Sequence, residues 1–236
     1  MSDVQIIRIE GPGKNALGTQ LMADLSERID AAEGAPLLFT GSGDAFSAGL
    51  DLKEVHAADL DDMHVFLTRL TDLLVRVFHH PAPTVAAVNG HAIAGGCLVA
   101  MLCDFRICTD APRARLGLNE VALGLRFPPR VLRFARSRLS PVHETTVLLG
   151  AGLHSPQDAL RLGLVDELAA DPLARAEALA ATLANHPRAA YAAAKKSLRG
   201  PVDQPDPEGD RQFIEDVLPV WAGPDIKATL EGFLKR

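Results

Sequence analysis

Cysteine is scarce in this chain of 236 residues. The three present, Cys97, Cys103 and Cys108, are odd in number and spaced as neither a C-x-x-C redox pair nor a zinc knuckle. A disulfide framework is therefore excluded as the basis of the fold, and the thiols read as reduced and buried. Basic excess is lacking too. With 24 Lys and Arg against 30 Asp and Glu, the net charge of −6 gives a nucleic-acid partner no general electrostatic footing. No apolar run approaches the ~20 residues needed to cross a bilayer, and the opening MSDVQIIRIE has neither the basic start nor the apolar run of a secretory signal. These absences predict a cytoplasmic location and no membrane partner.

Several chemical signatures are missing as well. There is no Gly-x-Ser-x-Gly elbow, and Ser47 has no histidine base evident in the sequence, which argues against a serine hydrolase. P-loop and dinucleotide fingerprints are absent, and His79, His80, His143 and His154 lack metal-ligand spacing. The expectation is chemistry without a metal or redox cofactor.

What the chain does have is a 47% hydrophobic composition, enough for one sizeable core. Val4 to Ile9 alternates as a strand, Leu17 to Ala32 has helical spacing, and Pro36 to Thr40 is a short apolar strand. Residues 41–49 are rich in small side chains and read as loop. Asp61 to His79 reads as an amphipathic helix stopped by Pro81 and Pro83, followed by a buried strand from Thr84 to Val88. A glycine-rich turn then leads to an apolar helix, Gly95 to Leu102, and a strand from Phe105 to Thr109. Helices are expected near 129–139 and 141–149. Ser155-Pro156-Gln157-Asp158 supplies an N-cap, a first-turn proline and an acidic first turn for a helix ending at Gly163, ahead of a strand from Leu164 to Leu168. Helices alone follow, interrupted at Gly200 to Pro207 and closing with Pro224 to Lys235. This order predicts an α/β core, 1–185, and a C-terminal helical region, 186–236.

Two segments, Phe46 to Glu54 and Val88 to Cys97, combine small residues with a position after a buried strand. Glycines there can turn backbone N–H groups outward, and an N–H at a helix start gains from the helix dipole. Two such groups aimed at one point would form an oxyanion hole able to stabilise an enolate. Either segment alone reads equally as a tight turn.

Together, Phe46-Ser-Ala-Gly-Leu-Asp-Leu-Lys-Glu54, Pro83 through Cys97, and Cys103-Asp104 resemble the crotonase (enoyl-CoA hydratase/isomerase) superfamily, with Asn15-Ala16-Leu17 and Ala159 through Val165 matching its flanking segments. The resemblance implies a spiral of ββα units, with C-terminal helices supporting a homotrimer or hexamer, and an acyl-CoA thioester as substrate. It implies that the amides of Leu50 and Gly95 hold the thioester oxygen, and that Ala48, Asp51 and Lys53 line the CoA channel. Hydratases of the superfamily carry two glutamates. The first of these positions is Leu98 here and the second is Glu120, within Leu116-Gly-Leu-Asn-Glu-Val-Ala-Leu-Gly124. This pattern, with the stretch from Phe213 to Arg236, is similar to the mitochondrial-type Δ3,Δ2-enoyl-CoA isomerases, which work with one glutamate.

The expected activity is therefore a double-bond shift by Glu120, whose apolar neighbours Val121, Leu123, Leu125 and Phe127 favour a stronger base. A hydratase or another crotonase-type reaction is the alternative, and a non-catalytic acyl-CoA-binding protein is the rival from a different class. The arginines between 113 and 138 read as a solvated helix face or a subunit contact.

Overall fold

The computed structural model describes residues 4–234. It begins with strand β1 (Gln5–Ile9), a single turn α1 (Pro12–Asn15), helix α2 (Thr19–Ala31), and strands β2 (Leu37–Gly41) and β3 (Ala45–Ser47). Helices α3 (Leu52–Ala57) and α4 (Leu60–His79) lead to β4 (Thr84–Val88), β5 (His91–Ile93) and α5 (Gly95–Leu102). Then come β6 (Phe105–Thr109), β7 (Leu116–Gly117), a short 3-10 turn (Val121–Leu123), α6 (Pro129–Ser137), α7 (Pro141–Glu144), α8 (Pro156–Leu162) and β8 (Glu167–Ala169). The remainder is helical: α9 (Pro172–Leu183), α10 (Arg188–Arg199), α11 (Pro207–Gln212), α12 (Leu218–Trp221) and α13 (Pro224–Leu234).

Local chemistry accounts for the main elements. Helix α4 starts where the Asp59 carboxylate accepts from Asp62 N at 2.9 Å, and it ends just before Pro81. Its buried residues, among them Met63, Phe66, Leu67, Leu70 and Leu74, recur every three or four positions and face the core. Ser155 caps α8 by accepting from Asp158 N at 3.2 Å, and Gly163 closes that helix at φ 78°.

The strands form two parallel sheets, one ordered β1-β2-β4-β6-β8 and the other β3-β5-β7. Each successive pair (β2 and β3, β4 and β5, β6 and β7) gives one strand to each sheet before the chain turns helical. The result is a spiral of ββα units. Strands β2 and β4 of the larger sheet are buried on both faces, which explains the apolar run of β4.

Three sequence expectations are corrected. Residues 41–49 contain β3, and the glycine-rich turn after Val88 contains β5. Small residues resemble loop, yet Ala45, Phe46 and Ser47 are all buried, and Ala45 and Ser47 pair with β5 across an irregularity at Phe46. The strand expected at Leu164 to Leu168 runs from Glu167 to Ala169, because Leu164 and Val165 are drawn into the core instead. Lys235, expected to end the last helix, lies outside the described residues.

In the arginine-rich stretch Arg113, Arg115, Arg126 and Arg136 are exposed, as a solvated face would be, and several of the arginines are also engaged within the chain. Arg130 forms a two-pronged pair with Asp203 at 2.6 and 2.7 Å, Arg133 pairs with Asp206, and Arg126 donates to Asp216 O at 3.2 Å. These bonds fasten α6 and the segment before it to the C-terminal region. Arg138 donates to the carbonyls of Met101, Cys103 and Asp104, where helix α5 ends.

Among the described residues, no helix is long and apolar enough to cross a membrane, and no group of His, Cys, Asp and Glu is arranged to hold a metal ion. Cys97, Cys103 and Cys108 are free and buried.

Candidate functional site

The small sheet assembles the site. Leu50 follows the end of β3, Gly95 follows β5, and Glu120 follows β7. These strands are adjacent and parallel, so their carboxyl ends lie side by side and deliver all three residues to one edge.

Leu17 fixes the direction of the first donor. It donates to Gly49 O at 2.7 Å and accepts from Asp51 N at 3.1 Å. In a parallel ladder this pairing leaves the intervening Leu50 N–H pointing away from Leu17. Gly49 sits at φ 101°, a conformation that glycine tolerates, and a Cβ there would lie 2.9 Å from Ile93 O. Glycine thus permits the two loops to touch.

The second donor comes from the start of α5. Its first turn has N–H groups without an intrahelical partner, since the first helical bond runs from Leu98 N to Ala94 O at 2.9 Å. Ala94, just before Gly95, has φ 47° and ψ −121°, which is strained for a residue with a Cβ. Its own N–H is held by Gly117 O at 2.8 Å, so the strain is fixed by the neighbouring strand β7. A Cβ on Gly95 would fall 2.8 Å from Leu50 Cδ2, which shows how closely the two donor residues approach.

Glu120 begins the tight turn Val121–Leu123, closed by Gly124 at φ 79°. Leu123 N and Leu125 N both donate back to the Glu120 carbonyl, at 3.0 and 2.9 Å. The side chain is only 5% exposed, and among the described residues its Oε2 has no hydrogen-bond partner. Burial pushes its pKa up to about 7, outweighing the lowering effect of a backbone hydrogen bond. The carboxylate lies within electrostatic reach of Cys97 on α5, whose thiol is pushed up to about 12 by burial first and by Glu120 second. The next residue on α5 is Leu98, 1% exposed, in a helix that is buried and uncharged throughout.

The remaining expected residues fall on the Leu50 side. Asp51 caps α3, accepting from Lys53 N at 2.9 Å and Glu54 N at 3.3 Å. Ala48 is half-buried and donates its N–H to Lys14 O, whereas Lys53 is exposed. Sequence reasoning did not single out Leu17, whose backbone aims the Leu50 amide, nor Ala94. The Asn15-Ala16-Leu17 match was the available signal for the former.

Two backbone segments, at Leu50 and Gly95, and one buried carboxylate, Glu120, thus lie at one edge of a ββα spiral. The chain belongs to the enoyl-CoA hydratase/isomerase family, whose profile matches residues 1–233. It is 30% identical over 184 residues to the human enoyl-CoA delta isomerase 1, mitochondrial, covering 75% of this chain and 61% of that protein, so it spans less than two thirds of that relative's length. It is 34% identical over 194 residues to a probable enoyl-CoA hydratase of Bacillus subtilis (strain 168), covering 77% and 72% of the two chains. The crystal structure of human mitochondrial delta3-delta2-enoyl-CoA isomerase superimposes with a TM-score of 0.89 at 25% identity, covering 99% of this chain and 93% of that one.

Proposed function

We propose that this enzyme shifts the double bond of a 3-enoyl-CoA to the 2-position, using Glu120 as a single proton shuttle. The substrate's thioester oxygen sits between the Leu50 and Gly95 amides. Glu120 removes a proton from C2, the negative charge spreads along the dienolate onto the oxygen, and the protonated Glu120 delivers its proton to C4. One base serves both carbons because both are reached from one face of the extended dienolate. A carboxyl with a pKa of about 7 suits both halves of the cycle, being neither too weak to accept the proton nor too strong to return it. The proposed reaction draws on no metal or redox cofactor. Ala48, Asp51 and Lys53 are proposed to flank the CoA moiety.

The observation that carries this reading is the buried carboxylate of Glu120 beside an α5 that carries Leu98 in place of a second acid. Hydration requires one group to activate water while another protonates the α-carbon, and leucine does neither. The test is to assay 3-hexenoyl-CoA isomerisation and crotonyl-CoA hydration side by side. Isomerisation should dominate, and kcat/KM should rise as pH rises through about 7, as Glu120 becomes ionised. A preparation that mainly hydrates would overturn the isomerase reading and favour the one suggested by the name of the Bacillus relative.

We also propose a homotrimer or hexamer. The exposed apolar side chains Val142 (80%) and Leu149 (68%), on α7 and the turn after it, supply a face that association would cover. Light scattering of the purified protein decides this, with a monomer as the contrary outcome.

A further inference from the structure

The turn carrying Glu120 is held on its inner side by Leu123 and Leu125, which pack on the core, and is open on the other. Val121, Ala122 and Gly124 are exposed, and the turn's own hydrogen bonds fix its shape without fixing its place relative to the small sheet. A further anchor is the C-terminal segment. Trp221, the one tryptophan of the chain, is 2% exposed and donates its indole N–H to Arg126 O at 2.7 Å. The Arg126 guanidinium donates in return to Asp216 O at 3.2 Å. On the following helix, Ile226 reaches the turn itself, its Cδ1 lying 3.5 Å from where a Cβ on Gly124 would stand.

Helix α13 also packs on α3, the helix that begins two residues after Leu50, and His56 there lies 3.7 Å from Glu231. One segment of chain, 216–231, thus rests against both the element bearing the carboxylate and the element following the first oxyanion donor. A buried indole with a single directed bond is well suited to set that spacing, because its ring packs in the core while its N–H points to one carbonyl.

We propose that Trp221 is a positioning residue for Glu120: its bond to the Arg126 carbonyl fixes the distance between the carboxylate and the substrate held at Leu50 and Gly95. The proposal rests on Glu120 being the base. Trp221 touches no reacting atom, so its removal should disturb the proton transfers and leave binding of the CoA thioester in place.

The experiment is a double-mutant cycle in the full chain with 3-hexenoyl-CoA. Trp221→Phe keeps an aromatic ring and removes the N–H. Small misplacements of a catalytic group cost up to ~100-fold in rate, so kcat should fall about 10- to 100-fold with KM changed by less than about twofold. In the Glu120→Gln background the same substitution should change the residual rate by less than about twofold, since there is no base left to position. Circular dichroism melting establishes that each variant is folded. If Trp221→Phe does not fold, benzothienylalanine at position 221, which keeps both rings and replaces N–H by sulfur, must give the same split. A folded variant with wild-type kcat, or one that slows the Glu120→Gln protein as much as the wild type, overturns the proposal. If Glu120→Gln alone is fully active, the base assignment fails and takes this inference with it, an outcome read from a different protein and so kept distinct.

Discussion

The carboxylates of Glu120 and Asp104 are both largely shielded from solvent, and their surroundings are opposite. Asp104, at the end of α5, accepts from Lys195 Nζ at 2.8 Å, Arg199 Nη2 at 2.6 Å, Tyr191 Oη at 2.9 Å and Thr84 N at 2.9 Å. Burial by itself would raise its pKa, but Lys195 and Arg199 hold it below the ordinary carboxylate range. Glu120 has no cation among the influences on its pKa, and burial raises it to about 7. A cavity of about 390 Å³ opens beside Asp104. What differs is satisfaction. Asp104 spends its lone pairs tying α10 to β4 and the start of β6, whereas Glu120 Oε2 has no hydrogen-bond partner among the described residues.

The comparison is broken most severely at the reactive end. Glu120→Gln preserves shape and removes the base, and loss of a general base typically lowers turnover by ~10²–10⁴. Steady-state kinetics with 3-hexenoyl-CoA should show that loss in kcat, while acyl-CoA binding by calorimetry stays near wild type. Full turnover in the variant would remove Glu120 from the mechanism.

At the structural end the expected damage is to folding. Asp104→Ala leaves Lys195 and Arg199, with side chains 6% and 7% exposed, facing each other without their common anion. Breaking a buried ion pair by deleting one partner typically costs about 3–5 kcal/mol. Urea denaturation should register a loss of that order, and a loss below about 1 kcal/mol would show that the network is ornamental to stability.

The sequence revealed these two sites unequally. Periodicity located the long helices and the strands of the larger sheet, because α4 repeats its apolar residues every three to four positions and β4 is apolar throughout. It missed β3 and β5, each three residues long, which are too short for any period to declare itself. With β7, those strands bring Leu50, Gly95 and Glu120 to one edge. The candidate residues were legible only through the motif resemblance, which carries their order along the chain and not the sheet that unites them. The Asp104 network was invisible for a further reason. Lys195 and Arg199 lie 91 and 95 positions away in the chain, and nothing local in an alanine-rich helix marks two of its cations as buried.

A subtler contrast concerns pH. In the folded chain Glu120 keeps its proton up to about pH 7, while the unfolded chain releases it near pH 4.5. Between those values the folded state holds more protons, so this residue's contribution falls as pH rises and is fully lost above pH 7. Glu120→Gln has no such titration. At pH 8 it should be more stable than wild type by up to about 3 kcal/mol, with the difference shrinking towards zero near pH 4. Parallel melting curves across that range test it, and a gap that widens towards acid would contradict the raised pKa.

The smallest effect should come from trimming the satisfied site without breaking it. Tyr191 donates to Asp104 Oδ2, the oxygen that also accepts from Lys195 and Thr84 N, so Asp104 stays paired after Tyr191→Phe. The hydroxyl is lost, yet no buried charge is stranded, and the ring keeps its place against His186. A hydrogen bond to a charged group is worth about 1.5–3 kcal/mol when its partner is left bare. With three donors still in place, the cost should be nearer 1 kcal/mol, the ordinary net value of one bond. Urea denaturation of this variant beside Asp104→Ala separates two accounts of the network. A cost near 1 kcal/mol means that the cations neutralise Asp104 and the tyrosine merely completes its shell. A cost approaching that of Asp104→Ala means that the donors act as one cooperative unit, in which case the stability of this region depends on the hydroxyl as much as on the charges.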